Sequence, residues 1–386
     1  MLSHAPDLGG WLARVEGLAP EVLAARDQMD KDAQLPWQLL EDISAAGLFR
    51  LWLPKELGGF NIEPPIALKI IEAMARIDGS AGWCLGPGNV SGLFAAYLPE
   101  RAAREVYQGD WLMNGAGSLA GAGRAVPVDA GYSLSGRWSF CTNSPGCRWY
   151  LGIFTVMNGE EPRKLSNGAP DFRFFYFPAD KTEVINTWDT GGLRGTASHD
   201  LLLKEAIVGE DFGFAMGAKP WPAAPMYAAG SKLWSQTAFA VVTLGIAKAA
   251  VDALTEIAKE RIPTMGTAPL REKPVLRDEL GRADAALRAA ESFFENTVAH
   301  CSDKLNALET LNESEIARLG QSCSLLADTS RQVVQTMYRL GGGASVYRSC
   351  PLDRCLRDVQ VAAQHAAIGP KHYDAAARVM LDMSAS

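Results

Sequence analysis

Three stretches of the chain carry groups with chemistry to offer. Trp138-Ser139-Phe140-Cys141-Thr142-Asn143, followed by Trp149, sets a hydroxyl and an amide among aromatic residues. Trp188-Asp189-Thr190-Gly191-Gly192-Leu193-Arg194-Gly195-Thr196-Ala197-Ser198-His199-Asp200 mixes small residues with hydroxyls. Small residues let a backbone approach a ligand closely, and Thr196 and Ser198 can each donate or accept a hydrogen bond. Gln364-His365 brings an imidazole, which titrates in the range where acids and bases are useful. Each also has a plainer reading: Trp138 and Phe140 as core aromatics, Arg194 as an ion-pair residue, His365 as a core or surface histidine. His199, beside Asp200 at the start of a strand, reads better as a structural cap, and His4, His300 and His372 read as solvated.

The elements that must hold these groups change texture twice along the chain. From Leu8 to about Asp110 apolar residues recur at three and four: Leu12, Val15, Leu18, Val22 and Leu23 set one helical face, Leu39, Leu40, Ile43 and Leu48 another. Leu53-Pro54-Lys55-Glu56-Leu57-Gly58-Gly59 interrupts them before the spacing resumes at Ile66, Ile70, Ile71 and Met74. From Trp111 to about Asp211 short apolar runs between turn residues predict strands, among them Trp149 to Phe154 and Phe172 to Phe177, with a hairpin turn at Asp129-Ala130-Gly131. No long amphipathic helix separates the strands, so a barrel or sandwich is expected rather than a parallel sheet. Beyond Lys219-Pro220-Trp221-Pro222 helical spacing returns and predicts a four-helix bundle. The expected division is an N-terminal helical domain over 1–110, a middle β domain over 111–218 and a C-terminal bundle over 219–386: an α+β fold, mostly α.

The chain has 386 residues, 48% of them hydrophobic and 21% charged, with a formal net charge of −7. That apolar content excludes disorder, and an acidic chain without a basic stripe is a poor partner for nucleic acid. The longest membrane candidate, around Ala238 to Ile246, soon meets Lys248 and Asp252, so no membrane partner is expected. No basic start followed by an apolar core opens the chain, which places it in the cytoplasm. Seven cysteines form no CxxC pair, the pattern of reduced thiols with no metal site.

The order helical, strand-rich, four-helix bundle, together with these motifs, resembles the acyl-CoA dehydrogenase superfamily over nearly the whole chain. The resemblance places Phe140 against a flavin ring, Thr142 at flavin N5, and Asn114, Asn143, Trp188, Arg194, Thr196 and Ser198 around the cofactor. Arg261 of Lys259-Glu260-Arg261, with Pro269-Leu270 beyond it, matches a basic residue near the flavin or a neighbouring subunit's cofactor. Leu340-Gly341-Gly342-Gly343 resembles the family's glycine-rich turn, with Gly342 a flavin contact, although glycines there alone would make a helix C-cap. The run from Tyr347 through Pro351 to Arg357-Asp358 resembles the P-x-x-R-x-x-R-D segment. Family members are usually tetramers, and Tyr347, Arg348 and Arg357 fit such an interface.

Departures from the dehydrogenase pattern select a branch. A dehydrogenase needs a carboxylate to remove a proton alpha to a thioester. The eighth residue after Asp358 is Ala366, and the earlier glutamate position, around Leu244 to Lys248, offers Gly245 and Ile246. Asn114-Gly115-Ala116-Gly117-Ser118-Leu119-Ala120 stands where the family's T-E-P-x-x-G-S-D loop would be. These features resemble the two-component flavin monooxygenases of this fold, the branch of the hydroxyphenylacetate hydroxylase oxygenase and dibenzothiophene monooxygenase. The resemblance implies reduced FMN or FAD delivered by a separate NAD(P)H-flavin reductase, reaction with O2 to a C4a-hydroperoxide, and a small aromatic or heteroaromatic substrate, with Thr142 and His365 catalytic. Gly146 falls where phenol hydroxylases often carry His, which favours an indole, thiophene or amine. The alternatives are an FAD-dependent acyl-CoA dehydrogenase or related oxidase, and a non-catalytic flavin-binding member.

Overall fold

The computed structural model describes residues 5–107, 109, 116–263 and 266–383. Seven helices come first: α1 (Leu8–Gly17), α2 (Ala19–Ala24), α3 (Arg26–Asp32), α4 (Trp37–Ala45), α5 (Pro64–Ile77), α6 (Gly79–Ala95) and α7 (Glu100–Tyr107). Leu39, Leu40, Ile43, Leu48, Ile70, Ile71 and Met74 are buried, as their spacing requires. The face expected over Leu12 to Leu23 is instead broken, because Pro20 opens α2 in its first turn. The break turns Leu23 outward, leaving it 46% exposed. At the Pro and Gly cluster Gly58 takes φ +80°, and Gly59 presses on the Leu53 carbonyl, where a Cβ would come within 2.0 Å.

Eight strands follow in one sheet: β1 (Ala116–Val128), β2 (Gly131–Cys141), β3 (Trp149–Asn158), β4 (Glu161–Pro162), β5 (Phe172–Pro178), β6 (Thr182–Ile185), β7 (His199–Val208) and β8 (Gly213–Ala215). Their order is β6-β7-β2-β1-β3-β5-β8, with β4 paired to β3. Val128 pairs with Gly131, so Asp129-Ala130 is the two-residue loop of the expected hairpin. The sheet is mixed: β1 and β3 run parallel, and the other pairings among the described strands are antiparallel. No crossover helix is needed, because β2 is itself the return leg between them, lying on the other side of β1.

The C-terminal part holds α8 (Pro225–Ala228), the long helices α9 (Ser231–Glu260), α10 (Pro274–Asn306) and α11 (Glu313–Gly341), then α12 (Pro351–Ala362) and α13 (Lys371–Met380). The long helix α9 packs on α11 and also on α5 and α6 of the N-terminal part. By length and composition α9 is apolar enough to cross a membrane, but 67% of its most apolar window is buried within the fold, as in the core helix of a globular protein. Its Lys248 reaches Glu72 on α5 at 2.5 Å and Glu291 on α10 at 2.6 Å, while Lys69 pairs with Glu295. Two lysines thereby offset two of the three charges on carboxylates that lie within 4.8 Å of one another.

Three helices meet at Ala75 on α5. A Cβ on Gly82 of α6 would come within 2.5 Å of the Ala75 Cβ, and a Cβ on Gly245 of α9 within 2.6 Å of both Ala75 Cβ and the Glu72 carbonyl. Backbone cannot yield as a flexible side chain can, so Gly245→Ala should destabilise the protein by about 1–3 kcal/mol through overpacking. Denaturant unfolding measures this, and an unchanged midpoint would refute the close contact.

Candidate active site

The site begins where β2 breaks its own alternation. Successive strand residues face opposite ways, so Trp138 and Phe140 should share a face. Trp138 is buried and gives its indole N–H to the Ile153 carbonyl at 3.2 Å. Between Trp138, paired with Leu201, and Cys141, paired with His199, the strand carries one extra residue. This bulge puts Phe140 at φ +63° and turns its ring outward, 62% exposed, while Cys141 takes the buried place. Phe140 meets only the edge of Trp188, at a centroid distance of 6.4 Å. Asn143, at φ +54°, then ties the strand end to the second motif through its N–H, 2.7 Å from the Thr196 carbonyl.

The loop from Trp188 to Ser198 is bent at two further left-handed residues, Leu193 (φ +50°) and Ala197 (φ +45°). Trp188 gives its indole N–H to the Leu193 carbonyl, and the Leu193 N–H goes to Asp358 Oδ1 on α12 at 2.6 Å. A Cβ on Gly192 would lie 2.0 Å from the Arg357 carbonyl, so the loop sits directly on that helix. Arg194 is used to hold the loop: it donates to the Asp30 carbonyl, to Asp189 Oδ1 at 3.0 Å and to the Thr190 carbonyl. His199 is structural as well, its Nδ1 accepting from the N–H groups of Thr187 and Trp188.

These constraints bring three buried hydroxyls into a row. Thr142 Oγ1 lies 3.0 Å from Ser198 Oγ, which lies 2.8 Å from Thr196 Oγ1. From α6 the Trp83 indole N–H reaches Thr142 Oγ1 at 3.3 Å. Trp83 is also one wall of an aromatic box, tilted against Phe239 of α9 at 5.3 Å and edge-on to His365 at 5.7 Å. Phe239 and His365 are stacked, with centroids 3.8 Å apart. Sequence reasoning missed Trp83 and Phe239. Each sits in a helix whose residues are apolar on most sides, where one more aromatic gives no signal.

His365 stands in the turn after α12 and caps the next turn, its Nδ1 accepting from the Ala367 N–H at 3.2 Å. With the Nδ1 lone pair engaged, the neutral ring carries its proton on Nε2. Burial, and next the neighbouring Lys371, lower its pKa to about 4. At neutral pH His365 therefore offers a hydrogen-bond donor and no free basic nitrogen.

The other candidates lie apart from this row. Arg261 follows α9, twenty-two residues beyond Phe239, about 33 Å along a helix. Gly342 ends α11 at φ +63° in an exposed turn. Asn114 lies outside the described residues. Of the other histidines, His372 is half-buried, packing against Gly320 of α11 and bonding the Ala367 carbonyl, His300 is exposed and pairs with Glu315, and His4 lies outside the described residues. Cys84, Cys141 and Cys147 are buried thiols, with burial raising the pKa of the first two, which fits inert cysteines.

A His whose pKa falls on folding contributes stability that is complete above 6.5 and lost as pH drops through about 4, because only the unfolded chain takes up the proton in between. The His365 ring signals in an NMR titration should move with a midpoint near 4. A midpoint near 6.5 would place the ring in water and remove it from the box.

Two family models match the chain: acyl-CoA dehydrogenase, N-terminal domain, over residues 12–113 and acyl-CoA dehydrogenase, C-terminal domain, over residues 237–370. The chain is 30% identical over 347 residues to an indole-3-acetate monooxygenase of Pseudomonas putida, spanning 90% of this chain and 87% of that one. It is 23% identical over 373 residues to the flavin-dependent monooxygenase, oxygenase subunit HsaA, of Mycobacterium tuberculosis, spanning 93% and 92%. In fold it matches XiaF from Streptomyces sp., solved with FADH2 and glycerol, at a TM-score of 0.90 and 23% identity, covering 98% of this chain and 96% of that one. With that likeness running through all three parts of the fold, the chain belongs to the acyl-CoA dehydrogenase family, on its flavin-dependent monooxygenase branch.

Proposed function

We propose that the chain is the oxygenase of a two-component system, receiving reduced FMN or FAD from a separate NAD(P)H-flavin reductase in the cytoplasm and oxidising a small planar heteroaromatic compound of the indole class. The observation that carries this is the row of hydroxyls, Thr142, Ser198 and Thr196, opening beside the box of Trp83, Phe239 and His365. The names of the relatives support it, one an indole-3-acetate monooxygenase and another an oxygenase subunit.

The residues fit a flavin. A flat ring with a polar edge needs an exposed aromatic face, hydroxyls at one edge and backbone bent close to it. Phe140 provides the first and Thr142 the second. Phe140, Asn143, Leu193 and Ala197, which bend the two segments together, are four of the eight non-glycine residues with positive φ among the described residues. Strain of this kind is a signature of functional sites. When bound, reduced flavin supplies the electrons that activate O2, one oxygen atom going to the substrate and the other to water.

The chain's own residues then have separate tasks. Thr142 would hold a bound flavin at its N5 edge, and Phe140 would lie against the ring. Trp83 and Phe239 exclude water and offer aromatic surface to a planar substrate. His365 donates from Nε2 to an electronegative atom of the substrate or of the oxygen being transferred. The places where a dehydrogenase would keep its glutamate offer no carboxylate: Ala366 has only a methyl group, and in the stretch around Leu244 to Lys248 a Cβ on Gly245 would itself collide with the Glu72 carbonyl. Arg261 and Gly342, remote from Thr142 within one chain, act on a neighbouring subunit's flavin in a homotetramer. The exposed apolar residues beside them, Ile262, Val275, Val346 and Tyr347, support such an interface.

The test supplies chemically reduced FMN or FAD, 18O2 and indole or indole-3-acetate, and weighs the product. One 18O atom in the product is expected. Thr142→Val should divert oxygen to H2O2 and cut product per O2 by about fivefold or more, and His365→Phe should lower product formation about tenfold, each having lost one buried hydrogen bond. Purification with oxidised flavin that an acyl-CoA reduces, and no label in either indole, would overturn the reading.

A further inference from the structure

Thr142 is not aimed by its own strand alone. An indole N–H can donate but never accept, so at 3.3 Å Trp83 claims one lone pair of Thr142 Oγ1. The hydroxyl then keeps one lone pair and one O–H. Ser198 Oγ, at 3.0 Å, takes one of these, which leaves a single site for a ligand. Thr142 thus presents one group at one place whether the ligand edge donates or accepts. Without the indole N–H the hydroxyl has a spare lone pair, and its rotation about Cβ–Oγ1 is held by Ser198 alone.

The position of Trp83 is itself fixed with unusual care. It stands on the second turn of α6, whose first N–H groups are capped by Asp78, at 2.9 Å from Ser80 N and 3.2 Å from Ala81 N. The preceding residue, Gly82, is pressed on Ala75. Four residues on, Pro87 lies inside the helix and has no N–H for the Trp83 carbonyl. Trp83 is 7% exposed and touches both Thr142 and His365, so it joins the hydroxyl row to the aromatic box.

We infer that Trp83 is a positioning residue that acts through Thr142, its indole N–H holding that hydroxyl at the flavin edge. This rests on the flavin reading given above. The test is a double-mutant cycle read as binding rather than turnover: dissociation constants of reduced FMN under anaerobic conditions, and of oxidised FMN, for wild type, Trp83→Phe, Thr142→Val and the double variant, with thermal melting to confirm folding. Trp83→Phe keeps the ring and removes the N–H. It should weaken reduced FMN about threefold to tenfold, the range of one neutral hydrogen bond, and should add nothing once Thr142 is Val. Phe239→Leu, which loosens the same box without touching Thr142, should by contrast combine additively with Thr142→Val. Full additivity of Trp83→Phe with Thr142→Val would overturn the inference while leaving the flavin reading intact. Wild-type protein that binds neither form of FMN nor of FAD would overturn both.

Discussion

Everything at the site hangs from a knot of buried charge where α3, α6, α12 and the Trp188 to Ser198 loop meet. Asp78 and Asp358 are each 2% exposed. Arg26 lies 3.2 Å from Asp78, Arg354 lies 3.5 Å from Asp78 and 3.1 Å from Asp30, and Arg357 reaches Asp30 and Asp353. Withdrawing such charges from water is costly, and the cost is recovered only if the geometry is held. The knot therefore behaves as a rigid joint, and three arms leave it: α6, reaching Trp83 five residues after Asp78; the loop, held at Leu193 and reaching Ser198 five residues later; and α12, reaching His365 seven residues after Asp358. A small rotation at the joint would be felt by all three at once. Asp358 is the pivot. Burial, and next Asp78, push its carboxyl up to about 7 against the pull of the Leu193 N–H, Arg354 and Arg357. A carboxyl raised on folding stabilises the fold in its protonated form, fully below its ordinary range, and that contribution is lost as pH rises towards 7.

The joint determines what chemistry the pocket can hold. A reactive oxygen species on a cofactor is protected by the absence of water and of loose bases. The box meets the second condition, and its walls are aromatic rings. Its polar groups are hydroxyls bonded to one another and an imidazole that burial keeps neutral. The nitrogen of His365 that could act as a base is spent on the Ala367 N–H. What remains is a set of donors fixed in a low-dielectric space, where a hydrogen bond counts for more than in water.

How much of this could be read from the chain depends on whether the signal is local. Helical spacing placed α4, α5 and the long C-terminal helices, and the Asp129-Ala130 turn placed its hairpin, because each pattern is contained in a few residues. The parallel pairing of β1 and β3 was not legible, since it depends on which side of β1 the chain chooses when it returns. The motifs containing Thr142, Thr196 and Ser198 were legible as places where small and hydroxyl residues meet, but the outward turn of Phe140 was not. It follows from a one-residue slip between β2 and β7, and a slip in pairing leaves no mark on either strand alone. Trp83 is the extreme case: nearly every residue of α6 is buried, so no face is distinguished, and only the neighbour at 3.3 Å separates a core tryptophan from a functional one.

The same reasoning explains why the missing glutamates are informative beyond their absence. A position that merely lost its side chain could regain it. At Gly245 it could not, because the helices have closed: the Glu72 carbonyl and the Ala75 methyl occupy the space where a side chain would begin. The Glu72 carboxylate itself is held by Lys69 and Lys248. At 366 the situation is the reverse. Ala366 lies exposed in the turn that His365 caps, so a longer side chain has room there. One of the two family positions for a carbon base is therefore sealed by packing and the other lost by composition alone. Six residues before Gly245, on another side of the same helix, α9 presents Phe239 to Trp83 and His365.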